Sequence, residues 1–477
     1  MSSVKKNFFY NTIYQILAII LPLITSPYLS RVFGVEGIGI YSFTFSIATY
    51  FGLFTMLGIK NYGVRTIAQS MSNKKELSKN FWNIYYLQFI SSSIVIVAYS
   101  AYILFISKEY NNIKWIQGLI VVSGMFDISW FFFGIEKFKI TVIRNIIVRI
   151  LTVILMFLFV RTFNDLWVNA LIMAGSTLIN QILLWSFLKE YVSFEKPKTK
   201  EIKKHLKPAL TLFIPILAVS LYIYMDKIML GYLSNMTQVG LYNSAEKMIN
   251  IPMGFIVAFG TVMLPRMSYL VEKKDQASIK KNLRGSMEFN IFLGSAMMFG
   301  LAGIAESFVP IFFGKGFEGV ISLVTLISPI ILIKSWANVI RNQILLPNAK
   351  DKEYTFSVVM GAVVNLIINL VLISRYGAAG AVVGTIVAEF MVALVQTIVA
   401  KKYMEIDYYI KNGYKYVLIG LTMYVLINYL GRIIDRKIFA LLLQIGVGGA
   451  FYILASFALY ENKQAVMKPI KKILRIR

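Results

Sequence analysis

Long apolar stretches dominate this sequence and constrain its fold more than any other feature. Fourteen predominantly apolar windows, most of about 20 residues or more, follow one another along the 477-residue chain. A helix needs about 20 apolar residues to cross the hydrocarbon core of a bilayer. The pattern therefore predicts an all-α integral membrane protein with about 14 transmembrane helices. The windows cover residues 8–33, 38–59, 81–106, 115–135, 140–160, 166–188, 208–233, 238–264, 289–313, 318–346, 355–374, 378–400, 414–430 and 438–460.

Composition excludes several classes of function. Charged residues make up 15% of the chain, against about 25% in soluble domains. The chain has no cysteine and a single histidine, His205, which argues against disulfides, thiol catalysis and histidine-based metal or catalytic centres. The motif "GKGFEG" (314–319) fits GxGxxG, but no strand precedes it, so it does not indicate a nucleotide site. We expect no catalytic residues, no bound metal and no cofactor.

The distribution of positive charge predicts the topology. If the N-terminus and every second loop are assigned to the cytoplasm, 35 of the 49 lysines and arginines fall in those segments, in the C-terminus or within four positions of the adjoining window ends. Counted in the same way, 9 fall at the other loops. Cytoplasmic loops of membrane proteins carry this excess. We therefore predict a multi-pass plasma-membrane protein with both termini in the cytoplasm. The first window runs on without a small-residue cleavage site, so we interpret it as a membrane helix and not a signal peptide. Because the net charge of +26 is spread between apolar windows, we expect no nucleic-acid partner.

Internal similarity predicts the domain organisation. Gly39 and Tyr41 match Gly240 and Tyr242 at a constant offset in sequence. The predicted division is an N-terminal six-helix bundle (1–188), a cytoplasmic linker (189–207), a second six-helix bundle related to the first by the repeat (208–400), and two further helices with a basic cytoplasmic tail (401–477). Paired repeats are typical of transporters that rock about a central site.

Polar side chains inside the windows are the candidates for function, since each must face protein, water or substrate. Several recur at helical spacing and so share one face. The stripes are Asn243, Glu246, Lys247 and Asn250; Lys334, Asn338, Arg341 and Asn342; Thr141, Asn145, Arg149 and Thr152; and Asn365 with Asn369. Stripes on so many helices predict a shared hydrated cavity. At least five positions from either end, the windows hold five bases and five acids, so structural ion pairing remains an alternative for each charge.

Three segments identify a family. "SPYLSRVFGVEGIGIYSF" (26–43), "FDISWFFFGIEKFK" (126–139) and "MDKIMLGYLSNMTQVGLYNSAEKM" (225–248) resemble the oligosaccharide flippases of bacterial O-antigen and capsule synthesis. That family shares a superfamily with the multidrug exporters and the lipid II flippase. The resemblance implies movement of a polyprenyl-diphosphate-linked oligosaccharide across the lipid bilayer by alternating access. It also leaves room for association with the polysaccharide polymerase machinery.

The resemblance and the stripes together nominate site residues. Cations would hold the diphosphate, and amides would suit the sugars. The cavity candidates are Arg31, Arg149, Lys227, Lys247, Lys334, Arg341, Asn243, Asn338 and Asn365. Acids could carry a coupled H⁺ or Na⁺, or gate the cavity: Asp127, Asp226, Glu246 and Glu389. Of these, the resemblance nominates Arg31 and the Asp226–Lys227 pair, and the stripes nominate Arg149, Lys247, Lys334 and Arg341.

Three other functions remain open at this point. A cation-coupled multidrug exporter would share the fold and the repeats, but would not be expected to contain the segment "DISWFFFGIEKF". A lipid II flippase would differ in the head group that it carries. A membrane-embedded polymerase or acyltransferase is disfavoured, because a polymerase is expected to have a large external loop and every outside loop here is short.

Overall fold

Helices are the only regular secondary structure within the residues that the structure describes. The structure is a computed structural model that describes residues 2–459, with the side chains of all but residues 2–19 and 221–222. The predicted basic tail beyond 459 lies outside the described residues. No strand occurs between residues 2 and 459. The helices are α1 (Ser2–Met56), α2 (Ile59–Gln69), α3 (Lys74–Ala101), α4 (Asn111–Phe126), α5 (Ser129–Gly134), α6 (Phe138–Phe159), α7 (Leu166–Leu188), α8 (Thr199–Leu233), α9 (Met236–Glu272), α10 (Gln276–Phe313), α11 (Gly319–Ile327), α12 (Pro329–Ile340), α13 (Asp351–Tyr376), α14 (Ala378–Ala400), α15 (Ile406–Ile433) and α16 (Lys437–Leu459).

The helices account for the apolar windows. Within the described part of the chain, 12 helical segments are long and apolar enough to cross a membrane, or 13 when the bent helix α8 counts as one span. One of these segments, Ile20–Gln69, has 50 residues and would be about 75 Å long at 1.5 Å per residue, more than twice the hydrocarbon thickness. It is broken at Gly34, whose backbone is non-helical at φ 62°, ψ −175°. Two predicted windows lie on the two sides of this break, so the all-α membrane fold is confirmed.

Two compact units divide the chain. Residues up to 243 together with 369–381 form the first unit, and 244–368 together with the residues from 382 on form the second. The bundle boundaries predicted from the internal repeat are a different division and remain a prediction.

The first unit is built around a buried tryptophan. Trp130 is fully buried, among Phe81, Phe131 and other apolar side chains. Its indole Nε1 donates a hydrogen bond to Oε1 of Gln88 at 2.9 Å, and Nε2 of Gln88 donates to the carbonyl oxygens of Gly124 and Asp127 at 2.7 and 2.9 Å. Gln88 thereby satisfies both the indole and the last carbonyls of α4, which a buried site requires. The segment "DISWFFFG" thus forms core structure.

Gly39 of α1 and Gly240 of α9 bring two helix backbones into direct contact within the first unit. A Cβ atom at position 39 would lie 1.8 Å from the carbonyl oxygen of Met236, and one at position 240 would lie 2.0 Å from the carbonyl oxygen of Val35. Only glycine permits so close an approach.

These two contacts are equivalent under the sequence repeat. The repeat pairs Val35 with Met236 and Gly39 with Gly240. Gly39 contacts Met236, and the repeat-equivalent Gly240 contacts Val35, which is the equivalent of Met236. Close by, Oγ of Ser42 donates to Oδ1 of Asn243 at 2.9 Å, across a separation of 201 residues. Reciprocal contacts are what a two-fold relation produces, and they support the internal repeat around this crossing.

The second unit is organised along α10, a helix of 38 residues. Nε2 of Gln444 on α16 donates to the carbonyl oxygen of Ile427 on α15 at 2.8 Å and to that of Gly303 on α10 at 3.3 Å. The hydroxyl of Tyr452 donates to the carbonyl oxygen of Phe292 at 2.8 Å. Buried polar side chains therefore fix both C-terminal helices against α10.

A cluster of charged side chains lies between α10 and the start of α15 in the second unit. The carboxylate of Glu405, just before α15, accepts from Lys280 at 2.6 Å and from Nε and Nη2 of Arg284 at 2.8 and 2.5 Å. Hydrogen bonds from Lys280 and Arg284 hold the pKa of Glu405 below its ordinary value. The cluster ties the start of α15 to α10.

We expect Gly39→Ala to destabilise the first unit by about 3 kcal/mol, at the upper end of the usual cost of overpacking, because its methyl group meets a backbone oxygen that cannot rotate away. Gly52→Ala on the same helix is the control, since no atom lies within 4 Å of a Cβ there. Thermal unfolding of the two detergent-solubilised variants measures the difference. Equal melting temperatures would contradict the close contact.

Replacement of Glu405 by Gln should destabilise the protein at neutral pH, and this destabilisation should become smaller as the pH falls into the acid range. Since the folded state lowers the pKa of Glu405, its contribution is complete above the unfolded pKa of about 4.3 and is lost as the pH falls through the lower folded value. We expect the gap in melting temperature between wild type and Glu405→Gln to narrow below about pH 4.3. A gap that is constant from pH 7 to pH 3 would show that the ion cluster does not contribute.

Candidate functional site

Asp226 of α8 is a buried acid with dedicated donors. It is 1% exposed, and its carboxylate accepts hydrogen bonds from the hydroxyl of Tyr242 and from Nδ2 of Asn369 at 2.6 Å. All three residues belong to the first unit. A carboxylate in a membrane-spanning helix is costly unless polar groups replace its water. Tyr242 and Asn369 do so here, and they join α8 to α9 and α13.

Lys227 follows Asp226 but points about 100° further round the helix. It is also buried, with 8% of its surface exposed. Tyr242, one of the residues of the repeat, is part of this cluster because its hydroxyl reaches Asp226. Both residues of the predicted pair are thus buried, and Asp226 is bonded to polar partners on neighbouring helices of the first unit.

An aromatic cavity adjoins the same stretch of α8. It has a volume of about 210 Å³ and is lined by Ile47, Tyr50, Phe51, Tyr102, Met225, Ile228 and Tyr232. The hydroxyls of Tyr102 and Tyr232 are hydrogen-bonded to each other. Its wall is aromatic and aliphatic, with hydroxyls at Tyr50, Tyr102 and Tyr232, a combination suited to an amphipathic ligand.

Lys114 is a buried cation beside this cavity that the sequence pattern did not reveal. It is 2% exposed. Its ammonium donates to Oγ of Ser107 at 2.6 Å and lies 5.2 and 5.6 Å from the ring centres of Phe43 and Tyr102, within the range of cation–π attraction. The apolar windows place Lys114 in a loop, whereas α4 begins at Asn111. Lys114 and Gln117, which is also buried, are three residues apart and so share one face of a helix. That spacing was the available signal in the sequence.

The other candidates of the first unit differ in exposure. Arg31 is exposed, and its Nη1 donates to the carbonyl oxygen of Pro27 at 2.7 Å. Arg149 on α6 is half-buried. Asp127 ends α4, where Oδ1 accepts from the backbone N–H of Ser129 at 2.9 Å, a local turn that starts α5. Asn243 is buried and accepts from Ser42.

Arg144 is a second buried cation that the polar stripes did not include. It is 7% exposed, and its Nη2 donates to Oδ1 of Asn145 at 2.7 Å. That same oxygen accepts from Nδ2 of Asn180 on α7 at 2.9 Å. Arg144 lies one position before the predicted Asn145 stripe, so its burial depends on which face of α6 meets α7.

The second unit contains a partly buried ion pair. The ammonium of Lys334 on α12 lies 2.5 Å from Oε1 of Glu389 on α14, and the two side chains are 32% and 7% exposed. Two residues predicted for different roles, cavity cation and coupling acid, are therefore direct partners. Breaking such a pair leaves an uncompensated charge in a spanning helix.

Amides line the neighbouring face of α12. Nδ2 of Asn338 donates to the carbonyl oxygen of Ile256 at 2.9 Å, and its Oδ1 accepts from Nδ2 of Asn342 at 2.7 Å. Arg341 is exposed, with its guanidinium 4.7 Å from the ring centre of Tyr354. The remaining candidates of the second unit are Asn365, which is 1% exposed, and Glu246 and Lys247, which are half-buried.

The site has no arrangement suited to a metal. Within the described residues, no group of three or more His, Cys, Asp or Glu side chains could hold an ion. The acids instead accept hydrogen bonds from tyrosine, amide and ammonium donors. The arrangement can bind polar and anionic groups inside a bundle of membrane helices.

Fold and site together define a class. A multi-pass helical protein with cations, acids and amides buried in its spanning helices has the features of a membrane transporter. The chain belongs to the polysaccharide biosynthesis protein family, whose model matches residues 4–271, more than half of its length.

Individual relatives agree with this family. The chain is 25% identical over 404 residues to a protein of Escherichia coli K12 named "Putative O-antigen transporter", covering 82% of this chain and 95% of that protein. It is 24% identical over 387 residues to a protein of Shigella dysenteriae with the same name, covering 79% and 94%.

Solved structures share the fold. An inward closed conformation of the lipid II flippase MurJ superposes with a TM-score of 0.69 at 16% identity, covering 96% of this chain and 99% of that one. An inward-facing multidrug transporter of the MATE family superposes with a TM-score of 0.59 at 13% identity, covering 82% and 97%. Both likenesses concern the fold alone.

Lys334→Met should destabilise the second unit by about 3 kcal/mol, the lower end of the range for breaking a buried pair, because Lys334 retains some access to solvent. The double variant Lys334→Met with Glu389→Gln carries neither charge and should return to within about 1 kcal/mol of wild type. Chemical unfolding of the single and double variants in detergent gives the coupling energy. Additive losses in the double variant would exclude a mutual interaction.

Proposed function

We propose that this protein is a flippase, which moves a polyprenyl-diphosphate-linked oligosaccharide repeat unit from the cytoplasmic to the outer leaflet by alternating access, for synthesis of a cell-surface polysaccharide. The observation that carries the proposal is membership of the polysaccharide biosynthesis family, with relatives named as O-antigen transporters that align over nearly their whole length. A relative in Haloferax volcanii that matches 43% of the chain is named as a glycan biosynthesis flippase.

The chemistry of the substrate explains the buried polar groups. A polyprenyl tail already prefers lipid, so the obstacle to crossing is the diphosphate with its sugars. Cations hold a diphosphate by charge-assisted hydrogen bonds, and arginine can do so with two parallel bonds. Asparagine amides and tyrosine hydroxyls supply the donors and acceptors that sugars need.

The geometry ranks the candidate cations. Arg31 and Arg341 are exposed and accessible to a ligand without rearrangement. Lys334 is held by Glu389, so it would become available only if that acid is protonated or moves away. This makes the Lys334–Glu389 pair our candidate for coupling substrate binding to H⁺ or Na⁺. Lys227, Lys247 and Arg149 remain candidates for the diphosphate.

Asp226 has a different role in this proposal. Its bonds to Tyr242 and Asn369 join three helices of the first unit. We propose that it acts as a gating residue that keeps α8 and α9 in register, and not as a ligand for the substrate. Asp127, which forms a turn, is proposed to act only on local structure.

The proposed location rests on charge asymmetry. The lysine and arginine bias between loops supports a plasma-membrane protein with cytoplasmic termini. Association with the polysaccharide polymerase machinery is part of the proposal, because the flipped repeat unit must be passed on in the outer leaflet.

Transport in reconstituted vesicles tests the proposal. Vesicles receive a polyprenyl-diphosphate oligosaccharide, and an external enzyme modifies only outward-facing head groups. We expect protein-dependent modification, reduced at least about tenfold by Arg149→Ala, Lys227→Ala or Arg341→Ala if that residue holds the diphosphate, since a hydrogen bond to a charged group contributes about 1.5–3 kcal/mol.

Lys315→Ala is the matched control, because Lys315 is an exposed cation in the short loop after α10. It should flip at the wild-type rate, and melting temperatures should show that the other variants fold. Imposed proton and sodium gradients then identify the coupling ion. Absence of flipping, together with ion-driven efflux of small cations, would favour the multidrug-exporter alternative. Flipping of lipid II in preference to the lipid-linked oligosaccharide would favour the lipid II flippase alternative.

A further inference from the structure

A polar cavity lies at one end of the second unit, apart from the buried residues assigned above. Its volume is about 420 Å³, which is within the range of small-ligand sites. Three stretches meet there: the end of α9 with the first turns of α10, the segment after α12, and the connection between α14 and α15 with the start of α15. Its polar lining includes Lys280, Gln343, Asn348, Lys402, Tyr403 and Glu405.

Gln343 is the most informative residue of this wall. It is 1% exposed, and neither its amide nitrogen nor its amide oxygen has a hydrogen-bond partner among the described residues. A buried amide without a partner costs free energy, so such groups are rare in folded proteins. Gln343 also lies in a π-helical turn, Arg341–Leu345, an element that is frequent at functional sites. Its amide nitrogen and oxygen are therefore unsatisfied in the wall of the cavity.

The charges around the cavity favour an anion. The wall contains two ammonium groups, Lys280 and Lys402, and one carboxylate, Glu405. That carboxylate is already paired with Lys280 and with Arg284, which lies outside the wall. Lys402 lies 5.2 Å from the ring centre of Tyr403, and within the described residues it forms no ion pair. The long helices α10 and α15 begin at Gln276 and Ile406 beside the cavity, and helix N-termini attract negative charge.

We propose that this cavity binds a phosphate group, carried either by the head group of an anionic phospholipid or by a soluble phosphate compound. The ammonium of Lys402 contacts the phosphate oxygens, the amide nitrogen of Gln343 donates to them, and Tyr403 covers the site. Because the site is separate from the residues assigned to the lipid-linked oligosaccharide, it does not depend on the proposed function.

The test measures the melting temperature of the full chain in a neutral detergent with three additions: short-chain phosphatidylglycerol, inorganic phosphate, and an uncharged alkyl glycoside of the same chain length. We expect a rise in melting temperature with a phosphate-bearing addition and none with the glycoside. The rise should fall by at least half in Lys402→Gln and in Gln343→Leu, which keeps similar bulk without the amide. Lys401→Gln, the neighbouring lysine outside the wall, should retain it.

The additions also separate the two sources of phosphate. A rise with phosphatidylglycerol and none with inorganic phosphate at equal concentration assigns the site to a lipid head group, and an equal rise with both assigns it to a soluble phosphate. No rise for the wild type would overturn the proposal. So would a rise that Lys401→Gln reduces as much as Lys402→Gln does, because attraction would then depend on surface charge and not on the cavity.

Discussion

The contact between Gly39 and Gly240 is the constraint on which the first unit depends. Two helix backbones meet there with no side chain between them, so the distance between α1 and α9 is set by main-chain atoms. In a membrane, such contacts replace the hydrophobic effect as the means of holding helices together. The Ser42–Asn243 hydrogen bond and the Tyr242–Asp226 hydrogen bond both lie within a turn of this crossing on α9. These two polar contacts are thus positioned beside a close glycine contact.

Burial of charge is the second constraint, and the chain meets it with different partners in its two units. Asp226 accepts hydrogen bonds from a hydroxyl and an amide on neighbouring helices, and Glu389 is paired with the cation Lys334. The Lys334–Glu389 pair can change when either partner finds another ion, which is why we propose it for coupling.

Much of the fold and part of the site followed from the sequence, and the misses have physical causes. Asp226 and Glu389 were recognised because an acid in an apolar window needs a polar partner, water or a substrate beside it. Lys114 was missed because the apolar window begins at Trp115, and its place beside the rings of Phe43 and Tyr102 depends on how other elements pack against α4. Arg144 was missed because helical spacing groups residues by face but does not say which face meets α7. Gln343 gave no signal, since a glutamine near a helix end is ordinary until its burial is known.

The sequence by itself determined the class of fold. The length of an apolar stretch and the charge of the loop beside it are properties of short segments, and both can be recognised without knowing how the helices pack. The sequence also indicated the repeat, through glycines whose spacing is preserved. Only the tertiary structure decided which charge meets which partner. Asp226 is joined to Asn369 across 143 residues, and Lys334 reaches Glu389 on a different helix. Such pairings depend on the rotation and crossing of whole helices, which side-chain packing sets collectively and which no local pattern encodes.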